Sequence, residues 1–209
     1  MLDHFYIFLM FIPLVSFHEA AHAWAAYRLG DDTAEQEGRL TLDPRSHIDL
    51  LGTIIIPALN ILVLSGGLFG WGRPVPVDPL NLRRPRRDEI LIALAGPLAN
   101  LLVALLTCAV LTWLIPAHSP WQKLAYLFAY VSVFLSLLNL IPIPPFDGWT
   151  IVRNVFGFRS ETLEQSGLWW TLGIMAVLLF TPAFSYLNLA SDGILLALQH
   201  LCGAGRLAS

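Results

Sequence analysis

The chain has 209 residues, 56% of them apolar and only 13% charged, with a formal net charge of −3. That apolar share lies outside the soluble range, and several runs approach spanning length, so the composition excludes an ordinary soluble globule and predicts an integral, multi-pass membrane protein. The length suits about four to six spans with short loops rather than a second soluble domain. No basic, aromatic-interleaved patch points to nucleic acid, and Cys108 and Cys202 form neither a disulfide framework nor a CxxC metal pair.

The first apolar run covers residues 5 to 29. Asp3 and His4 lead straight into "FYIFLMFIPLV" without a positive n-region or a small-residue cleavage site, so a retained first span is expected. Its second half carries "SFHEAAHAW". Helical residues four apart stack on one face, about 6 Å apart along the axis, so His18 and His22 can aim ring nitrogens at one metal ion. Glu19 lies about 100° round the helix, close enough to take a proton from a metal-bound water without being a ligand. HExxH thus supplies ligand, base and ligand. The plainer alternative is a chance match whose histidines bond neighbours. Against it, each ionisable group inside a membrane costs on the order of 2.5 kcal/mol or more and tends to be functional.

A polar loop (31 to 48) precedes a second apolar run, 49 to 70, which contains Gly52, Pro57, Asn60 and the Gly66-Gly67 pair. A Pro- and Arg-rich loop (71 to 87) includes "RPVPV", residues 73 to 77. Further apolar runs cover 88 to 114, 121 to 142, 166 to 182 and, more weakly, 186 to 202, where Asp192 and His200 leave both a span and an interfacial helix open. No internal repeat is apparent.

Two histidines leave a catalytic zinc one protein ligand short, since such sites take three and keep the fourth position for water. Asp147 directly follows the fourth apolar run in "LLNLIPIPPFDGW". Pro142, Pro144 and Pro145 end the helix there, so the chain unwinds and presents Asp147 from a turn closed by Gly148. Asp147 is therefore either the third ligand or an ordinary loop aspartate capping the next segment.

Taken together, "HEAAH" in the first span, "LAGPLAN" at 94 to 100 and "NLIPIPPFDG" at 139 to 148 resemble the three signatures of the site-two protease family of intramembrane zinc metalloproteases. "GRLTLDPRSHIDLLGT" and "FGWGRPVPV" resemble its compact bacterial branch without a PDZ domain, so the likeness covers roughly residues 10 to 160. Position by position, the resemblance implies His18, His22 and Asp147 as ligands of one Zn2+ per chain, with Glu19 as the catalytic base. It further implies that Asn139, Gly96 and Asn100 shape the active site, oxyanion site or substrate channel.

Topology can be reasoned separately. A site joining the end of the first span to Asp147 requires both at one face. Four crossings would place Asp147 on the wrong side; a second run that dips in and returns restores it. The same re-entrant arrangement gathers Arg28, Arg39, Arg45, Arg73, Arg83, Arg84, Arg86, Arg87, Arg153 and Arg159 on one face, opposite Lys123, and the positive-inside rule makes that face cytoplasmic. In "RPVPV", Val75 and Val77 can offer backbone N–H groups along one edge, whereas Pro74 and Pro76 have none. A short membrane-associated strand could therefore hold an unwound substrate by strand addition; a Pro-rich turn with no partner is the alternative.

The expectation is an all-α polytopic membrane protein with a re-entrant hairpin. It forms one membrane-embedded domain over 1 to 209, with a core at about 5 to 160 and accessory helices at about 166 to 202. It would be an intramembrane zinc metalloendopeptidase of the bacterial inner membrane, acting near the cytoplasmic side on membrane proteins with a transmembrane segment. A divalent-metal transporter fits less well, because the third and fifth runs hold no His, Asp or Glu in their interiors. A non-proteolytic binder of the same fold is disfavoured by the intact Glu19. His47 and Trp24 are expected at the membrane interface.

Overall fold

The computed structural model describes residues 2–60, 70–116, 119–157, 173, 177 and 181–203. Three of its helices are long and apolar enough to cross a membrane: α1 (Leu2–Leu29), α4 (Pro85–Trp113) and α5 (Pro120–Asn139). Between α1 and α4 lie the short α2 (Thr33–Gln36), a 3-10 turn at Pro44–Ser46, and a π-helical segment, Leu50–Ile55, that runs into α3 (Ile56–Leu59). After α5 come α6 (Asp147–Phe156) and α7 (Ala183–Leu201). The apolar run at 166 to 182 lies almost wholly outside the described residues.

Each long helix starts or stops for a local reason. Pro85 sits in the first turn of α4, where a missing N–H costs nothing, and the Asp88 carboxylate reaches back to accept from the backbone N–H of Arg84 at 2.7 Å. Pro120 opens α5 behind the N-cap Ser119. The prolines after Asn139 end α5, as the sequence predicts, and four residues of turn separate Pro142 from the start of α6.

α1, α4 and α5 pack side by side. Phe11, Leu14 and Val15 of α1 bury against Val131 and Leu135 of α5, with Val103 of α4 alongside. Hydrocarbon gives helices no hydrophobic drive to associate, so close packing and polar links count for more. Ser132 and Ser136 of α5 donate to the α4 carbonyls of Asn100 (2.7 Å) and Pro97 (2.9 Å). Lys123 donates to Asp3 at 2.6 Å, tying the N-terminal ends of α5 and α1 at one end of the bundle. α7 packs Leu195 against Cys108 and Ala129, and Asn188 accepts from the Tyr130 hydroxyl at 2.8 Å.

The second apolar run closes on itself. Trp71 N–H donates to the Gly52 carbonyl (3.0 Å), and Thr53 Oγ1 donates to the Trp71 carbonyl (2.8 Å). Trp71 therefore lies beside Gly52 and Thr53, a closure that a run turning back on itself requires; residues 61 to 69 lie outside the described residues. Glycine permits the approach: a Cβ on Gly52 would fall on the Trp71 ring, and one on Gly70 would fall on the Gly52 carbonyl. Residues 70 to 78 carry no regular secondary structure and no strand forms among the described residues, so where a short strand was expected there is a single strap with no strand partner among them.

Candidate metal centre

The α1–α4–α5 bundle opens at one end into a cavity of about 550 Å³. Its lining includes His18, Glu19 and His22 from α1, Asn100 from α4, Asn139 from α5 and Asp147 from α6, with Val75 and Val77 of the strap. The helical i, i+4 spacing does what the sequence predicts. The two Nε2 atoms of His18 and His22 stand 3.0 Å apart, and Asp147 Oδ2 lies 3.1 Å from the first and 3.3 Å from the second. Four ligands around zinc at about 2.0 to 2.1 Å stand roughly 3.3 Å from each other, so this N, N, O triangle has the edge lengths of three corners of a tetrahedron. Among the described residues it is the one group of three His, Cys, Asp or Glu side chains so placed.

Hydrogen bonding on the far side of each ring bears on the fit. His22 Nδ1 lies 2.7 Å from the Ile92 carbonyl, an acceptor only, so Nδ1 carries the proton and the Nε2 lone pair faces the triangle. His18 Nδ1 faces the amide of Asn100 at 3.4 Å, and the Asn100 Oδ1 is buried without a partner. Turning that amide about its axis brings Oδ1 to accept from Nδ1–H and frees the Nε2 lone pair of His18. The donor set and its outer partners thus suit a zinc ion. Asn100 is completely buried, reaches the cavity wall and faces Nδ1 of His18, where its amide can orient that ring.

Gly96 has a steric role here. A Cβ at that position would collide with Nε2 of His22 and lie 2.6 Å from Cε1 of His18, so the α4 backbone can back the histidines only as glycine. Gly72 does the same for the base: a Cβ there would stand 3.0 Å from Glu19 Oε1. Asn139 lines the cavity from the last turn of α5, where its amide donates to the Leu135 carbonyl at 2.9 Å. Asp147 is held by α6, whose other end is pinned by Arg153 and Asn154 donating to Glu89 of α4 at 2.9 and 2.8 Å.

Other residues tie the loops to this end of the bundle, a role that sequence reasoning gave to none of them. Asp31 accepts from Asp78 N–H, Asn81 Nδ2 and both the backbone and hydroxyl of Thr33. Arg39, only 2% exposed, donates to the carbonyl of Arg73. His47 is fully buried, with Nε2 on the Thr41 carbonyl at 2.8 Å, so it belongs to the loop's interior rather than to the membrane interface. Trp24 is 58% exposed beneath the Arg28 guanidinium. The signal for the buried pair lay in "GRLTLDPRSHIDLLGT", polar side chains between two apolar runs, but their partners are distant in sequence.

Residues 114–181 match the sequence profile of Peptidase family M50. The chain is 34% identical over 206 residues to "Putative zinc metalloprotease YwhC" of Bacillus subtilis, covering 91% of this chain and 89% of that one. It is 38% identical over 170 residues to "Putative zinc metalloprotease Rip2" of Mycobacterium tuberculosis strain H37Rv, covering 80% of this chain and 64% of the relative. Rip2 of Mycolicibacterium smegmatis is 31% identical over the same shares. The chain thus spans somewhat under two thirds of these mycobacterial relatives. No solved structure matches.

Proposed function

The chain belongs to peptidase family M50, the zinc metalloproteases of site-two type, and from that premise we propose that it hydrolyses peptide bonds within or beside transmembrane segments of other membrane proteins. The observation that carries this reading is the convergence of His18 Nε2, His22 Nε2 and Asp147 Oδ2 beside Glu19, at the end of a membrane helix and inside a cavity. One Zn2+ per chain would be held by those three atoms, and when bound it supplies a Lewis acid that polarises the scissile carbonyl and lowers the pKa of water.

The protein's own groups do the rest. Glu19 takes the proton of the attacking water and delivers it to the leaving amine. Asn139, whose amide lines the cavity, is the side chain available to steady the oxyanion. Asn100 holds the His18 ring from its Nδ1 side, and Gly96 leaves the Nε2 atoms of both histidines clear. Val75 and Val77 line the cavity on the strap, and among the described residues their backbone N–H groups have no partner, which supports strand addition as the way an unwound substrate is held. The membrane is the bacterial inner membrane, with the site toward the cytoplasm, and the chain works as one membrane-embedded domain.

The test is reconstitution of the purified protein in liposomes with a transmembrane substrate. Wild type should cut, whereas Glu19→Gln, still carrying one zinc per chain, should be slower by about 10²- to 10⁴-fold. If both forms bind zinc and leave every member of a substrate panel intact, the protease reading fails. Zinc accumulating inside the liposomes would favour transport instead.

A further inference from the structure

A buried arginine holds the strap beside the cavity. Arg39 lies in the loop between α2 and the 3-10 turn, only 2% exposed, and its Nη2 donates to the Arg73 carbonyl at 2.5 Å and reaches the Pro74 carbonyl at 3.4 Å. Its Nε is buried with no hydrogen-bond partner. Withdrawing a guanidinium from water costs free energy unless the site compensates it, so a merely structural filler at this position would be apolar. The same stretch of strap is held from two other sides. Arg73 N–H donates to the His47 carbonyl at 2.8 Å, and Trp71 is clasped through both its N–H and its carbonyl by Gly52 and Thr53. At the far end Asp78 N–H donates to Asp31 at 2.8 Å.

These tethers are selective. They use backbone groups of residues 71, 73, 74 and 78 and skip the N–H groups of Val75 and Val77, the two strap valines that line the cavity. Pro74 and Pro76 contribute no N–H of their own. The strap is therefore fixed on both sides of a two-residue edge whose donors are left available.

We propose that Arg39 is a positioning residue for substrate: by gripping the Arg73 and Pro74 carbonyls it holds the Val75–Val77 edge at the distance from Glu19 and the histidines at which an extended peptide can pair with it. This rests on the protease reading and adds to it a residue outside the three signature motifs. The occupant is a backbone in extended form, so affinity comes from main-chain hydrogen bonds and depends on the edge being pre-set rather than ordered on binding.

The experiment pairs hydrogen–deuterium exchange over residues 70–78 in nanodiscs with kinetics on a reconstituted transmembrane substrate, for wild type, Arg39→Gln and Arg39→Lys. In Arg39→Gln the hydrogen-bonded amides of Trp71, Arg73 and Asp78 should exchange at least about tenfold faster and KM should rise about tenfold with kcat within about threefold, while zinc content stays at one per chain. Arg39→Lys, which keeps the charge and can reach one carbonyl, should fall between. Unchanged exchange in Arg39→Gln overturns the latch; faster exchange with unchanged KM overturns its role in substrate positioning. Should Arg39→Gln lose its zinc through misfolding, Arg39→Lys and Thr53→Val, which loosens the Trp71 clasp instead, face the same two criteria. If no form cleaves any substrate, the protease reading falls, and exchange still decides whether Arg39 fixes the strap.

Discussion

At Gly96 a single methyl group decides whether two histidines can share a metal. The α4 backbone passes so close to the metal-facing nitrogens that a Cβ would overlap His22 Nε2 and crowd His18 Nε2. Gly96→Ala should therefore push the rings apart and weaken zinc binding on the order of 10- to 100-fold, the scale seen when support around metal ligands is lost. Chelator competition measures it directly; zinc affinity equal to wild type would show that α4 retreats without cost. Asn100→Leu should weaken binding by a similar factor, because it removes the amide facing His18 Nδ1 while keeping volume. The pairing of His18 and His22 was readable in the sequence because helical geometry fixes what residues four apart can do. Gly96 and Asn100 were readable only as parts of a family signature, since their reason is the proximity of a different helix, which no local pattern encodes.

At the scale of elements, the ends of α1, α2, the strap and the approach to α4 meet on one carboxylate. Asp31 is buried, which pushes its carboxyl up, but donors from Thr33, Asn81 and the Asp78 backbone outweigh burial and hold it below the ordinary aspartate value. A depressed folded-state value means that ionised Asp31 stabilises the fold fully above the unfolded pKa of about 3.9 and that this contribution disappears as pH falls through the folded value. Asp31→Asn should cost about 1 to 3 kcal/mol at pH 7, and its thermal unfolding curve should converge on wild type as pH drops below about 4. A gap that stays constant from pH 7 to pH 3 would mean the charge is not what matters. The strap that Asp31 terminates was half legible. Alternating proline and valine predicted an extended segment with one usable edge; a strand was expected but none forms among the described residues, because the tethers come from single side chains and loop carbonyls rather than from a neighbouring strand.

For the whole molecule, parity carries the argument. His18 and His22 lie toward the C-terminal end of α1, and Asp147 follows α5, so an odd number of crossings from the start of α1 to the end of α5 is required. The three long helices α1, α4 and α5 supply it, and the hydrogen bonds from Thr53 and Gly52 to Trp71 bring the second apolar run back to its own start. That run is long enough to cross, so hydropathy alone does not decide it; a metal site joining His18 and His22 to Asp147 requires that it turn back. Charge agrees. Arg28 at the end of α1, Arg83, Arg84, Arg86 and Arg87 at the start of α4, and Arg153 in α6 gather at the metal end, whereas the Lys123–Asp3 pair marks the other. Four arginines at the N-terminus of α4 oppose the helix dipole, which favours anions there, so helix stability does not explain them; the positive-inside rule predicts from them that this end faces the cytoplasm. A reporter inserted beside Arg84 should accordingly give a cytoplasmic signal and one beside Ser119 an extracytoplasmic signal. An extracytoplasmic signal at Arg84 would require the second run to span, and Asp147 could then not reach His18 and His22 from the same side, so this one measurement would dismantle the hairpin and the metal site together.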